Sequence, residues 1–358
     1  SVSLDQHGDA VSNRFLDELP SADRTDLLEL YHRKVVPSSS VVVCHSEPGA
    51  WHPANYPTSR CPPQDAKFSV GRTMFESDRL PDGWDERLRK MDEIWVPTEF
   101  HRDIFIRGGV DAEKVAVIGE PIDTTFFTPS STATPSAQFN FLSVFKWEWR
   151  KGWDVLLKAF VQSFRRSQPV HLHILTTSYH STSDFHGEIQ RFFRDQLSCD
   201  SWAADGSRRK VVPYAELPRI HLLPRVPQQD LPSVYHNADA FVLPSRGEGW
   251  GRPHVEAMAS GLPVIATNWS GPTAFLDDSN GYPLRYTHLR PVPDGPFRGH
   301  LMAEPDEAAL ARLMQHLVRH KSEAAAKGRQ ARADMVARFH PSILAAQVKE
   351  QLEKLTKR

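Results

Sequence analysis

The stretch richest in chemistry runs Leu243-Pro-Ser-Arg-Gly-Glu-Gly-Trp-Gly-Arg-Pro-His-Val-Glu-Ala-Met-Ala-Ser-Gly-Leu-Pro-Val-Ile-Ala266. It carries two carboxylates, Glu248 and Glu256, with seven residues between them, and three glycines, Gly247, Gly249 and Gly251. An apolar run before it reads as a strand end, and Pro253 suits the first position of a helix, where its missing N–H costs nothing. Gly261 then ends that helix and Pro263 opens the next strand. A glycine loop between a strand's carboxyl end and a helix N-terminus turns main-chain amides and a positive dipole end toward an anion. Ligands of open α/β sheets bind at that edge. A cradle for phosphate alone would avoid acids, so the glutamates read as acceptors for the hydroxyls of a ligand whose phosphates meet the amides. A nucleoside diphosphate carrying a sugar has that make-up. Taken singly, Glu248 is also explained as a turn residue and Glu256 as a favourable charge near a helix start. The glycines run G-x-G-x-G, unlike the dinucleotide fingerprint.

This Glu-seven residues-Glu stretch resembles the donor-site motif of family 4 retaining glycosyltransferases, which have the GT-B fold. A second stretch, Ser143-Val-Phe-Lys-Trp-Glu-Trp-Arg-Lys-Gly-Trp-Asp-Val-Leu-Leu-Lys-Ala-Phe160, is similar to the first strand and helix of that family's C-terminal domain. The resemblance covers most of residues 138–340. It implies an α/β architecture of two doubly wound, Rossmann-like domains facing across a cleft, with an N-terminal domain that looks shortened here. It implies that Lys146 and Lys151 hold the donor diphosphate; Lys146 stands where the family usually has arginine, and Arg150 can supply the bidentate fork instead. Glu248 then meets the hexose and Glu256 the ribose, while the amides from Gly249 through Trp250 and Gly251 to Arg252 meet the diphosphate. Trp250 is the candidate to stack on sugar, though most tryptophans are core residues. Arg225 and Val226, just past a strand end, fall where the family reads the nucleotide base through its main chain, so the base has no side-chain signature. His45, beyond an N-terminal strand, is the candidate to touch the hexose, against a surface or core role. Arg72 and Glu76 either bind acceptor hydroxyls or form a surface ion-pair network.

The elements that must position these residues are legible as short apolar runs alternating with amphipathic stretches, the pattern of parallel sheets covered by helices. Strands are predicted at Ser40–Cys44, Glu93–Val96, Lys114–Ile118, Phe139–Phe145, Val170–Leu175, Arg219–Leu223, Ala240–Leu243 and Pro263–Ala266. Trp153, Leu156, Leu157, Phe160 and Phe164 form one apolar helical stripe. From about residue 304 the pattern is helical. The expected domains are 1–128 on the acceptor side, a linker at 129–137 rich in Ser, Thr and Pro, 138–340 for the nucleotide sugar, and a C-terminal helix at 341–358 that can cross back to the first domain.

The 358 residues accommodate two such domains. With 43 Lys and Arg against 44 Asp and Glu, a net charge of −1 argues against nucleic acid as the main partner. No run approaches the roughly 18–20 apolar residues of a membrane span. Three cysteines, Cys44, Cys61 and Cys199, are odd in number and widely spaced, so neither a disulfide framework nor a CxxC metal site is expected. Ser1 begins without a charged-then-apolar leader, so a signal or anchor, if the gene encodes one, lies upstream, and the compartment stays open, with a soluble domain in the cytoplasm favoured. Asn268-Trp-Ser270 matches a glycosylation sequon and is read as coincidental. No metal or other cofactor is expected, the partners being a nucleoside-diphosphate sugar and a hydroxyl acceptor (glycan, lipid or small molecule). The alternatives are a non-catalytic sugar-nucleotide-binding or scaffold protein and a GT-B phosphorylase.

Overall fold

The computed structural model describes residues 16–17, 19–55, 57–58, 60–130, 137–178, 184–198 and 217–358. Most of the expected linker, and Cys199, lie outside the described residues. After α1 (Ser21–His32), the first sheet is built from β1 (Val41–His45), β2 (Phe68–Arg72), β3 (Glu93–Val96) and β4 (Val115–Val117), with α2 (Trp84–Arg89) and α3 (Glu99–Arg107) between them. Its strands are parallel and lie in chain order, β1-β2-β3-β4. Among the described residues this sheet has four strands, against six in the second.

The second layer contains β5 (Phe139–Trp147), α4 (Trp153–Ser163), β6 (Val170–Ser178), α5 (Phe185–Ser198), β7 (Arg219–Leu223), α6 (Leu231–His236), β8 (Ala240–Leu243), α7 (Arg252–Ala259), β9 (Val264–Thr267) and β10 (Tyr282–Leu284). Its six parallel strands run β7-β6-β5-β8-β9-β10. The chain winds outward from β5 in one direction, then returns to its other side, so the order reverses between β5 and β8. That switch point is where a doubly wound sheet opens a crevice at its carboxyl ends. Every residue of β8 and β9 is buried because helices cover both faces. Phe141, Phe160 and Phe241 are wholly enclosed, each burial being worth about 2–3 kcal/mol.

An antiparallel hairpin of β11 (Tyr286–Pro291) and β12 (Leu301–Pro305) follows, then α8 (Glu307–Arg319), α9 (Lys321–Phe339) and α10 (Pro341–Thr356). The hairpin has no counterpart among the expected strands. It reaches the first layer: the Asp78 amide donates to the Leu301 carbonyl at 3.0 Å, and Ser77 Oγ lies 2.9 Å from His300 Nδ1. Gln351 of α10 donates to Glu93 at the start of β3. Ile118, Ile122 and Phe127, leading out of β4, belong to the same apolar cluster as the second sheet. No helix of the described residues is long and apolar enough to cross a membrane.

Cys44 and Cys61 form a disulfide, which corrects the expectation drawn from their spacing. The chain between them, which includes the wholly buried Trp51, folds back so that the His52 amide donates to the Cys61 carbonyl at 2.9 Å and the two sulfurs meet. A separation of 17 residues gives a closed loop worth about 3 kcal/mol. Such bonds persist in oxidising surroundings.

Candidate functional site at the switch point

Two loops meet where β5 and β8 end. The first, after β5, is a short turn that carries Arg150 and Lys151 and closes on Gly152, whose φ is +66°. A Cβ at Gly152 would stand 2.0 Å from the Pro244 carbonyl oxygen, so glycine alone permits this loop to lie on the second one. The second runs from Pro244 into α7. The two are joined by Arg246, whose amide donates to the Arg150 carbonyl at 2.7 Å.

Arg246 is wholly buried, with a guanidinium satisfied on all sides. It pairs with both oxygens of Asp154 (2.9 and 2.8 Å) and both of Glu304 (2.9 Å each), and donates to the Trp149 carbonyl at 2.6 Å. The Trp149 ring lies 4.3 Å from its central carbon. Sequence reasoning passed over Arg246 because its partners come from α4 and β12, and no local spacing announces them. Its position one residue before the Gly247 loop was the available signal.

Glu248 is 5% exposed, and both its oxygens accept from Lys151 Nζ at 2.8 Å. Burial raises its pKa, but Lys151 and then Arg150 overcome this and hold it down to about 2, so the pair is ionic at neutral pH. Its amide donates to Ser270 Oγ at 2.9 Å, and its carbonyl accepts from the Gly271 amide. Below it lies His254, wholly buried, with a pKa brought by burial to about 4, hence neutral.

Arg150 gathers three carboxylates: Glu76 at 3.1 Å, Glu148 at 2.9 Å and Glu248 at 3.4 Å. Glu76 belongs to the first layer, so this contact spans the two. Gly247 and Gly249 are the points of closest approach there; a Cβ on them would stand 2.3 Å from the Glu76 carbonyl oxygen and 2.4 Å from Met74 Sδ respectively. Glu256, 8% exposed, accepts from Tyr235 OH at 2.7 Å through one oxygen, and burial raises its pKa. Among the described residues, the amides of Gly249, Trp250, Gly251 and Arg252 make no hydrogen bond. Those of Gly251 and Arg252 are orphan donors of the start of α7, and those of Gly249 and Trp250 lie in the loop that enters it.

The other expected residues are spread around this centre. Lys146 is exposed near the carboxyl end of β5. Arg225, exposed, and Val226, half-buried, follow β7 at the same edge of the sheet, two strands away. The Arg252 side chain donates to the Pro121 carbonyl at 2.9 Å. His45 and Arg72 are register partners at the ends of β1 and β2. Arg72 reaches the Gly119 carbonyl at 3.0 Å and Glu120 at 3.4 Å. The His45 imidazole is held below its ordinary pKa, by desolvation first and by Arg72 second, against Glu120. Trp250 departs from expectation: it is 2% exposed, edge-on to Phe275 and Phe339. Protein occupies the space around its ring, so the indole is a core side chain and not a platform for sugar.

Comparison with known proteins accords with this geometry. Residues 137–320, about half of the chain, match the family described as Glycosyl transferases group 1. Mannosylfructose-phosphate synthase of Agrobacterium fabrum is 27% identical over 192 residues, covering 51% of this chain and 39% of that one. D-inositol 3-phosphate glycosyltransferase of Nocardia farcinica is 26% identical over 233 residues, covering 62% and 45%. The matched stretch thus spans less than half the length of each of these relatives. Among solved structures, HepE of Anabaena in complex with UDP and glucose superposes with a TM-score of 0.59 at 18% identity, over 80% of this chain and 71% of that one. Sucrose-phosphate synthase of Thermosynechococcus elongatus gives 0.62 at 19% identity, over 82% and 69%. Both are GT-B glycosyltransferases, so the two parallel-sheet layers have the GT-B fold. By its second layer and the stretch that builds the switch-point site, the chain belongs to the group 1 glycosyltransferases.

Proposed function

We propose that the protein transfers a hexose from a nucleoside-diphosphate sugar to a hydroxyl acceptor with retention of anomeric configuration. The observation that carries this is the buried Glu248–Lys151 ion pair beside four unbonded amides at the start of α7, all at the sheet's switch point. Lys151 spends two of its three N–H bonds on Glu248 and keeps one for a phosphate oxygen. The amides of 249–252 and the dipole of α7 take the rest of the diphosphate charge, with Lys146 at the mouth. Arg150, committed to three carboxylates, serves as a positioning residue that holds Glu248 and Glu76 in place.

In the reacting complex the acceptor oxygen bonds to the anomeric carbon as the bond from that carbon to the phosphate oxygen breaks. The acceptor proton passes to that departing oxygen on the same face, so no protein nucleophile is needed. The protein contributes placement and fixed charge, which act strongly in a water-poor cleft. Glu248 receives hexose hydroxyls and Glu256 the ribose through the oxygen that Tyr235 leaves free. The cations and amides neutralise the leaving diphosphate without a divalent ion. Transfer assays with UDP-, GDP- and ADP-sugars, with and without EDTA, test this, the product anomer being read by NMR. A retained anomer and indifference to EDTA are expected. An inverted product, or activity that depends on added metal, contradicts the scheme.

A further inference from the structure

We propose that His171, His173 and His221 form a binding site for one divalent transition-metal ion of the zinc, cobalt or nickel kind, on one face of the second sheet where β6 meets β7. The inference does not rest on the transfer reaction. It begins with strand geometry. Side chains two apart on a strand share a face, so His171 and His173 point the same way. His173 is the register partner of His221 on β7, which sets the third imidazole directly across from it. Ligand-capable atoms of the three lie within 4.8 Å of one another. The rings are packed together, with centroids 4.9 Å apart for His173 and His221, 5.1 Å for His171 and His221, and 6.2 Å for His171 and His173.

Three imidazoles, with no carboxylate or thiolate in the group among the described residues, select against calcium and magnesium, which need oxygen, and favour the borderline ions. Burial, with a further contribution from mutual repulsion, holds the His171 and His173 imidazoles below their ordinary pKa; burial and Arg219 do so for His221. A tetrahedral site with metal–nitrogen bonds near 2.0–2.1 Å needs donors about 3.3 Å apart, within reach of small side-chain rotations on a backbone that the ladder already fixes. Three protein ligands leave a fourth position for water. Asn140 Oδ1, 3.4 Å from His173 Nε2, can orient that ring. Access is graded: His171 is buried, His173 half-buried and His221 exposed, so an ion can enter from the His221 side. Arg219, the register partner of His171, opposes a cation and moderates the affinity.

β7 is an edge strand of the sheet, and an ion held by His221 with the β6 pair would staple that edge. The site lies toward the amino-terminal half of β6, whereas Lys146, Lys151 and Glu248 stand at the carboxyl ends. It is therefore separate from the proposed donor site.

The test uses the full chain without a polyhistidine tag. Cobalt(II) is titrated and followed by visible absorption, and zinc(II) by calorimetry, on the wild type, His221→Gln and His173→Gln. The expected result is one ion per chain, displacement of cobalt by zinc, a rise in melting temperature with zinc, and affinity lower by about tenfold or more in each variant. His221 is exposed, so His221→Gln should melt as the wild type does without metal. No saturable binding, or equal affinity in wild type and both variants, overturns the proposal.

Discussion

Lys151 and Glu248 set the tightest constraint in the molecule, because each is largely withdrawn from water and answers the other's charge. Lys151→Met should lower stability by about 3 kcal/mol, since it strands a buried carboxylate, and should abolish transfer. Lys151→Arg should recover most of the stability in a denaturant melt and little of the activity, because a planar fork paired with both Glu248 oxygens does not present the compact charge of an ammonium to a phosphate. Protons act at the same scale. His254 and His101 are buried, with pKa values lowered by burial from 6.5 to about 4 and about 3, so the unfolded chain binds protons that the native chain refuses. Their stabilisation is complete above pH 6.5 and drains away as pH falls toward those values. Glu248, depressed from 4.5 to about 2, adds a second loss that begins below pH 4.5. A melting-temperature scan should therefore fall in two stages, and a flat profile from pH 7 to 4 would refute the assignment. Glu248 and Glu256 stand out in the sequence because they share one loop and the helix it enters, whereas Lys151, 97 residues from Glu248, was pointed to only by the resemblance of the Ser143–Phe160 stretch. Arg246 was not legible, since its Asp154 and Glu304 partners lie 92 and 58 residues away.

Elements obey the same division between local and distant. Each predicted strand is present to within a few residues, as short apolar runs bounded by turns leave little choice. The stripe from Trp153 became α4, with Phe164 just beyond its end. The β11–β12 hairpin escaped notice because its strands alternate weakly, β11 being exposed along nearly its whole length. The Cys44–Cys61 bond escaped because pairing depends on how the intervening loop folds, which spacing does not encode. The hairpin matters for function because Glu304 of β12 anchors Arg246, which in turn fixes the loop that carries Lys151. Arg246→Met should cost about 3 kcal/mol in stability and raise the apparent KM for donor more than it lowers kcat. A variant with wild-type KM would show that the clamp is structural only.

At the scale of the whole molecule, the two layers touch through the glycine loop, the hairpin and α10. The parallel, doubly wound character of the second layer followed from alternating strands and helices. How the layers approach did not, since Glu76 and Arg150 meet only in the folded protein. Gly247→Ala tests that approach. With no left-handed φ at this position, alanine is tolerated by the backbone, but its Cβ would press on the Glu76 carbonyl. We expect kcat to fall several-fold with the melting temperature changed by only a few degrees; an unchanged kcat would mean that the contact plays no part in transfer. The central claim is that the switch-point pair marks a nucleoside-diphosphate-sugar site. Its most direct test is calorimetric titration of UDP-, GDP- and ADP-sugars into the wild type, Lys151→Arg and Glu256→Gln. The account predicts one nucleotide class bound at one site per chain, with affinity reduced about tenfold or more in both variants. No binding by the wild type, or equal binding by all three proteins, would contradict it.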